Sequence, residues 1–392
     1  MKLNIKKSKV LEKDNRNIDF FYKPVNSKRG MSVGVCKDSG LIQSFQTKEK
    51  PSKRIQSISC DADWGNIRHG KGLRFDIFHN VVDKHINYNK IREVLDIGSN
   101  RGNFTNFILN QSQNISVVAV EPDKNIVSNY KDLDRVQFYN NRFGEVDLEK
   151  KKFDFVYCSH TLEHANSAKG MLEKISSHTK KEGYLFLEVP NLCNIEDSNI
   201  VEEFFIDKHT FHFDRTNLKN LVISYGFQLL YENSIEDKYN ITLLFKKSSI
   251  KSDLIVPDEN LYKLHKSNIL KYQVNLQDNR RILKDLVENK LNPLLDKQKV
   301  GIWGAARIFD ALVKYGKLNT KKVGILVDGH LWDKIDEAHG LKIHRPEYLR
   351  VYEPQVVLIL ARSAEENLAK RANLFGVRHV IRFNELMDQY ND

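Results

Sequence analysis

Val94-Leu95-Asp96-Ile97-Gly98-Ser99-Asn100-Arg101-Gly102-Asn103-Phe104 is a short apolar run that ends at an acid, crosses a turn with two glycines and enters a helical pattern. An apolar run of that length reads as a strand buried on both faces. Gly98 and Gly102 let the backbone approach a ligand where a Cβ would intrude, and a helix N-terminus follows them. Strand, turn and helix together predict a nucleotide-like cofactor. Asn100 stands at a turn position for which Asn is well suited, because it tolerates the left-handed region.

Asp96 narrows the choice of cofactor. The dinucleotide turn G-x-G-x-x-G must leave room for a pyrophosphate, but here an acid lies inside the motif. S-adenosylmethionine has no phosphate and carries an ammonium and a sulfonium, so a carboxylate at the strand end complements it. Glu121 ends the next apolar run, in Val117-Val118-Ala119-Val120-Glu121-Pro122-Asp123, where a carboxylate can accept both ribose hydroxyls. The expected cofactor contacts are Asp96, Gly98, Ser99, Asn100, Gly102, Asn103, Glu121 and Pro122. Asn141, Arg142 and Phe143 follow the third strand beside the adenine, with Phe143 as a stacking surface, and Ser159 follows the fourth.

Working outward, seven short apolar runs alternate with helical stretches: Val94–Ile97, Ile115–Val120, Val136–Tyr139, Phe153–Cys158, Tyr184–Val189, Phe227–Tyr231 and Ile241–Phe245. This is the pattern of a parallel sheet with helices on both faces. The last two runs leave no room for a helix between them and predict an antiparallel hairpin at the sheet edge. The expected organisation is an arm or small cap over 1–75, a cofactor-binding domain over 76–248, a helical connector over 249–297 and a smaller Rossmann-like α/β domain over 298–392. Pro293 is expected to end or kink the connector.

The segments DIGSNRG (96–102), VEPD (120–123), FDFVYCSHTLEH (153–164) and LFLEVPN (185–191) resemble, in order and spacing, the class I S-adenosylmethionine-dependent methyltransferases. The family usually has glycine where Asn100 stands. A class I domain followed by a helical connector and a C-terminal domain with Gly301-Ile302-Trp303-Gly304-Ala305 is similar to the nucleotide-sugar methyltransferases. That resemblance implies methylation of a sugar or nucleotide-activated sugar in surface-polysaccharide or secondary-metabolite biosynthesis. In that family a cysteine-rich zinc module comes first. Here Val35-Cys36-Lys37-Asp38-Ser39-Gly40-Leu41-Ile42-Gln43 looks like a worn copy in which serine replaces a thiolate. A structural zinc site needs about four ligands, so no metal is expected.

The acceptor site should form from Ser159, His160, Leu162, Glu163 and His164 after the fourth strand and from the segment Phe205-Ile206-Asp207-Lys208-His209-Thr210-Phe211-His212-Phe213. An acceptor hydroxyl is a poor nucleophile until it loses its proton, and histidine suits that task near neutral pH. His209 is the first choice as base and His160 the second. The sugar C-methyltransferases have Glu before the histidine matching His209; this chain has Lys208, which favours oxygen over carbon as the acceptor atom. In the C-terminal domain, Gly301, Gly304 and Asp328 form a weak copy of a dinucleotide site.

Composition sets outer bounds. The chain has 392 residues, 41% of them hydrophobic and 29% charged, which suits two globular domains. No run of about 18 apolar residues exists to span a membrane, and Met1 to Lys9 lack the apolar stretch of a secretory signal; a cytoplasmic location is expected. Cys36, Cys60, Cys158 and Cys193 form no CxxC pair, which argues against a disulfide framework. A formal charge of +11 favours anionic partners. With aromatic residues such as Trp64 and Tyr88 it keeps a nucleic-acid methyltransferase as an alternative. Cys158-Ser159-His160-Thr161 weakens that alternative, because it lacks the Asn-Pro-Pro-Tyr type of loop used for base amines. A noncatalytic scaffold that keeps the fold is the remaining reading.

Overall fold

The computed structural model describes residues 18–25, 27, 30–46, 81–235, 239–248, 259–333 and 335–390. Cys60 and Trp64 lie outside the described residues. The described chain divides into two compact units. The first comprises 18–46, 81–196 and 205–270, and the second 197–204 and 271–390.

The first unit contains, in chain order, β1 (Ile18–Tyr22), β2 (Met31–Cys36), β3 (Ile42–Gln46), β4 (Glu93–Ile97), α1 (Asn103–Gln111), β5 (Ser116–Val120), β6 (Val136–Tyr139), β7 (Phe153–Ser159), α2 (Ala168–His178), β8 (Thr179–Pro190), β9 (Phe211–His212), α3 (Arg215–Ser224), β10 (Phe227–Glu232) and β11 (Asn240–Lys247). Its main sheet has seven strands in the order β10-β11-β8-β7-β4-β5-β6. The ladder from β6 to β8 is parallel. β11 runs antiparallel to β8, and β10 antiparallel to β11. All seven expected strands are present, and the expected hairpin closes one edge.

Alternation along the strands divides the core into two layers. Leu95, Ile97, Val118, Val120, Val156 and Cys158 pack with Leu172 and Ile175 of α2 and Leu218 and Val222 of α3. Val94, Val117, Ala119 and Phe155 pack on the other face with Phe104, Phe107 and Ile108 of α1. Asp96 shares the parity of Val94 and so faces α1. The chain leaves β4 for β5 and β6, then returns to lay β7 on the other side of β4. At such a reversal the loops diverge and open a crevice beyond the carboxyl ends of the strands.

A second, four-stranded sheet has the order β1-β2-β3-β9, every pair antiparallel. Its buried residues include Met31, Val33, Val35, Ile42 and Phe45.

In the second unit lie α5 (Asn292–Lys297), β12 (Val300–Trp303), α6 (Arg307–Lys314), β13 (Ile325–Val327), β14 (Glu337–Ala338), β15 (Leu341–His344), α7 (Leu349–Tyr352), β16 (Val356–Ile359), α8 (Glu365–Leu374), β17 (His379–Arg382) and α9 (Phe383–Asp388). α4 (Glu259–Leu286) begins among first-unit residues and ends among second-unit ones. The sheet order is β14-β15-β13-β12-β16-β17, parallel from β15 to β17. A π-helical turn over Val287–Leu291 precedes α5, and Pro293 sits in the first turn of that helix. There its missing N–H costs nothing. Pro293 therefore marks the start of α5.

Asp328 directly follows β13, and its carboxylate accepts the N–H groups of Ala305 at 3.0 Å, His330 at 2.8 Å and Leu331 at 3.0 Å. Those bonds clamp the loops after β12 and β13. The acid acts as a brace between those loops.

Candidate active site

The turn after β4 is built from left-handed residues: φ is +74° at Gly98, +46° at Asn100 and +80° at Gly102. Asn100 adopts the conformation for which it was expected. At Gly98 no side chain fits, because a Cβ would stand 2.0 Å from Thr161 Oγ1. The N–H groups of Gly98 and Ser99 both donate to the Val120 carbonyl, at 2.9 and 3.2 Å, tying the turn to β5.

A residue that the sequence did not single out holds this turn from beneath. Tyr130 stacks on Phe138 with ring centroids 4.2 Å apart, and its hydroxyl lies 2.8 Å from Ser99 Oγ, 3.0 Å from the Ser99 carbonyl and 2.8 Å from the Asn100 carbonyl. One proton serves one carbonyl at a time, while the oxygen can accept from Ser99. Tyr130→Phe should therefore cost about 1–2 kcal/mol of stability and weaken cofactor binding about tenfold by loosening the turn. Chemical denaturation with calorimetric titration would measure both, and unchanged binding would dismiss Tyr130 as a support of the turn.

Asp96 is fully buried; its Oδ2 accepts the Thr105 hydroxyl at 2.6 Å, and its Oδ1 has no hydrogen-bond partner. Burial pushes its pKa up to about 7, Glu121 nearby adds to the rise, and the Thr105 bond opposes it. Glu121 spans the gap between loops. Its Oε2 accepts the Asn100 N–H at 3.1 Å and its Oε1 the Asp123 N–H at 3.0 Å. Burial raises its pKa as well, against those two backbone donors. Asn140 fixes the loop after β5 from β6, donating to the carbonyls of Glu121 at 2.9 Å and Asp123 at 3.1 Å.

Among the other expected contacts, Ser99 is buried, Pro122 half-buried, and Asn103, Asn141 and Arg142 exposed. Phe143 requires a correction. Its ring is 6% exposed in the core layer with Val146 and Leu148, and Lys174 Nζ lies 4.8 Å from its centroid. Packed there, Phe143 offers no free face to an adenine. Tyr88, the aromatic considered for nucleic acid, donates its hydroxyl to Asp83 at 2.6 Å.

Beyond β7 and β8 lies a cluster of acids and histidines. His160, itself left-handed at φ +47°, has Nε2 3.1 Å from Glu188 Oε1 and Nδ1 3.5 Å from Glu163 Oε1. Glu188 also accepts the hydroxyls of Ser159 and Thr242, each at 3.0 Å. Glu163 is buried. Burial would raise its pKa, but the imidazoles of His164 and His160 outweigh that and hold it below the usual value.

The small sheet positions the second acceptor segment. Pairing of β9 with β3 aligns His212 with Ile42, Ser44 N–H donates to the Thr210 carbonyl at 2.9 Å, and Ser27 donates to Asp207 at 2.5 Å. Thr210 N–H donates to the Glu163 carbonyl at 2.8 Å, and the ring centroids of His164 and His209 lie 4.9 Å apart. The structure thus brings His160, Glu163, His164 and His209 together. His212 is buried with Nε2 2.7 Å from Ser44 Oγ, and burial lowers its pKa to about 3. It is a neutral packing residue. The segment Val35–Gln43 forms the β2–β3 hairpin, closed by bonds of 2.9 Å from Cys36 N–H to the Leu41 carbonyl and from Gly40 N–H to the Cys36 carbonyl.

These residues fit S-adenosylmethionine on three counts: an orphaned buried carboxylate oxygen on Asp96, a second acid on the adjacent strand, and a turn whose glycines leave the cradle open. An uncompensated buried carboxylate is costly until a cation or proton meets it. The sheet order, the switch point and this site define a class I methyltransferase fold. Residues 48–232 match the family model described as a methyltransferase domain. This part of the chain is thus a methyltransferase domain of the class I fold, with a site that fits S-adenosylmethionine.

Among solved structures, a putative S-adenosylmethionine-dependent methyltransferase from Listeria monocytogenes is similar at 12% identity and TM-score 0.37, over 44% of this chain and 98% of that one. A methyltransferase from Clostridium acetobutylicum is similar at 12% identity and TM-score 0.35, over 45% and 98%. The protein PH0226 from Pyrococcus horikoshii is similar at 14% identity and TM-score 0.37, over 45% and 93%. No curated protein matches the chain in sequence. Among the described residues no helix is long and apolar enough to cross a membrane.

When bound, the cofactor supplies a methyl group on a sulfonium, open to in-line displacement. Asp96 and Glu121 would hold its charge and ribose while the turn 98–102 orients it. Alignment of this kind is worth up to roughly 10^8 M in effective concentration.

Proposed function

We propose that this methyltransferase transfers to a hydroxyl of a sugar or nucleotide-activated sugar. The observation that carries the reading is the group of His160, Glu163, His164 and His209 beyond the carboxyl ends of β7 and β8, the edge at which the cofactor turn also lies. His209 is the first choice to take the hydroxyl proton, with His160 behind it. Both nitrogens of His160 stand near buried carboxylates, an arrangement suited to orienting a ring.

Lys208 favours oxygen, because carbon methylation beside a ketone calls for a base that makes an enolate, and the carboxylate used for it in the sugar C-methyltransferases is replaced here. The formal charge of +11 suits a diphosphate-bearing acceptor. The C-terminal α/β unit supports the reading through its resemblance to the second domain of nucleotide-sugar enzymes.

Labelled cofactor offered with a panel of nucleotide sugars, free sugars and RNA should label a nucleotide sugar, with about 10^2 to 10^4 fold lower turnover in His209→Ala. Label on RNA alone, or turnover indifferent to His209, would overturn the acceptor class or the role of His209 respectively.

A further inference from the structure

Glu163, His164 and His209 place one ligand atom each within 4.8 Å of one another. These are two imidazoles and a carboxylate, from the turn after β7 and from the segment held by the small sheet. Two further observations show that the group is more than a chance cluster. Neither carboxylate oxygen of Glu163 accepts a hydrogen bond, although its side chain is 2% exposed. The nearest imidazole nitrogens, His160 Nδ1 at 3.5 Å and His164 Nε2 at 3.8 Å, lie beyond hydrogen-bond range.

The other observation concerns the His164 ring. Its Nδ1 lies 3.0 Å from the Lys208 carbonyl, which can only accept, so Nδ1 carries a proton and Nε2, on the Glu163 side, is the nitrogen left to bind an ion when the ring is neutral. A backbone carbonyl on one ring nitrogen is the usual support for a histidine that binds metal through the other. Bonds of about 2.0–2.2 Å bring the ligands of one ion to roughly 3–4 Å apart. A side-chain movement on the order of 1 Å closes the present group to that size.

We propose that Glu163, His164 and His209 bind one divalent transition-metal ion, whose open positions receive the hydroxyls of the acceptor. Two imidazoles and one carboxylate suit Mn2+, Fe2+, Co2+ or Zn2+ better than Mg2+ or Ca2+, which prefer oxygen. The ion weakens the O–H bond of a coordinated hydroxyl as it does that of water, and His160 is placed to receive the proton. A sugar offers two neighbouring hydroxyls to such an ion. The inference rests on the acceptor being a hydroxyl compound, and it changes the task of His209 from base to ligand.

The test uses the full chain, freed of metal by chelation and titrated with Mn2+, with free ion read by electron paramagnetic resonance. Co2+ added in parallel reports coordination number through its visible spectrum. One ion per chain is expected, with affinity about 10-fold lower or worse in Glu163→Gln and in His209→Asn. Circular dichroism checks that both variants fold; His209→Asn, at a half-buried position, carries the test if Glu163→Gln does not. Saturable binding that both folded variants leave unchanged, or no saturable binding, would overturn the site. Methyl transfer that persists undiminished in chelated protein would overturn the role of the ion, while the sugar acceptor stands. Ion binding that depends on these residues, with methyl transfer to no sugar, leaves the ion site supported and removes its proposed acceptor.

Discussion

Gly98→Ala should abolish cofactor binding at any practical concentration and lower stability by about 2–5 kcal/mol. A non-glycine residue at φ +74° costs roughly 1–2 kcal/mol. The new methyl would also meet Thr161 Oγ1 at 2.0 Å, an overpacking that typically adds about 1–3 kcal/mol. Both costs fall on the turn that faces the cofactor, so affinity suffers beyond the loss of stability. The double variant Gly98→Ala, Thr161→Ala removes the hydroxyl in the way and should regain part of the stability, because the closest clash is gone while the backbone cost and the loss of the Thr161 bonds to the Ile97 and Ser159 carbonyls remain. Denaturant titration reads the first effect and calorimetry the second. A single variant that binds like the wild type would mean that this turn does not approach the ligand.

The other large effect belongs to Asp96. With its pKa pushed up to about 7, the carboxyl of the free protein is part protonated at neutral pH, while a cationic ligand needs it ionised. Affinity should therefore fall as pH drops from 8 through 7 towards 6, approaching about tenfold per unit. The stability of the free protein runs the opposite way. A carboxyl whose folded pKa is raised binds more protons in the folded than in the unfolded state between about pH 4 and 7, so stability declines as pH rises through that window. Asp96→Asn should flatten both trends. It should also weaken binding by about 2–4 kcal/mol, the scale for losing one partner of a buried charge pair. Affinity that keeps its full pH slope in Asp96→Asn would move the effect to another group.

Much of this was legible in the sequence because burial on two faces leaves a plain mark. Val94–Ile97, Phe153–Cys158 and their companions are predominantly apolar, and all seven runs became strands of one sheet. Asp96 and Glu121 stood out as acids at the ends of such runs. Elements with no period of their own were missed. β9 has two residues and exists only through pairing with β3, and β15 is four residues, Leu341-Lys342-Ile343-His344, too short for its alternation to stand out.

The supports of the site were hidden for a related reason. Tyr130 acts on Ser99 and Asn100 from about thirty residues away, and Asn140 on Glu121 from nineteen. Nothing local to either residue announces it. Glu188 could have been found, as an acid inside the otherwise apolar run Leu185–Val189. Phe143 misled because an aromatic after the third strand is compatible both with a ligand face and with the core, and Val146, Leu148 and Lys174 decide for the core. The expectation of no metal weighed thiolates; the group of Glu163, His164 and His209 joins segments forty-five residues apart.

The most direct measurement is a calorimetric titration of the wild-type chain and of Glu121→Gln with S-adenosylmethionine at pH 8. The expected result is one-to-one binding in the micromolar range by the wild type, weakened at least about tenfold by the amide, which keeps the shape and loses the charge. Equal affinity in the two proteins, or no heat of binding in either, would contradict a cofactor held by paired acids at the switch point.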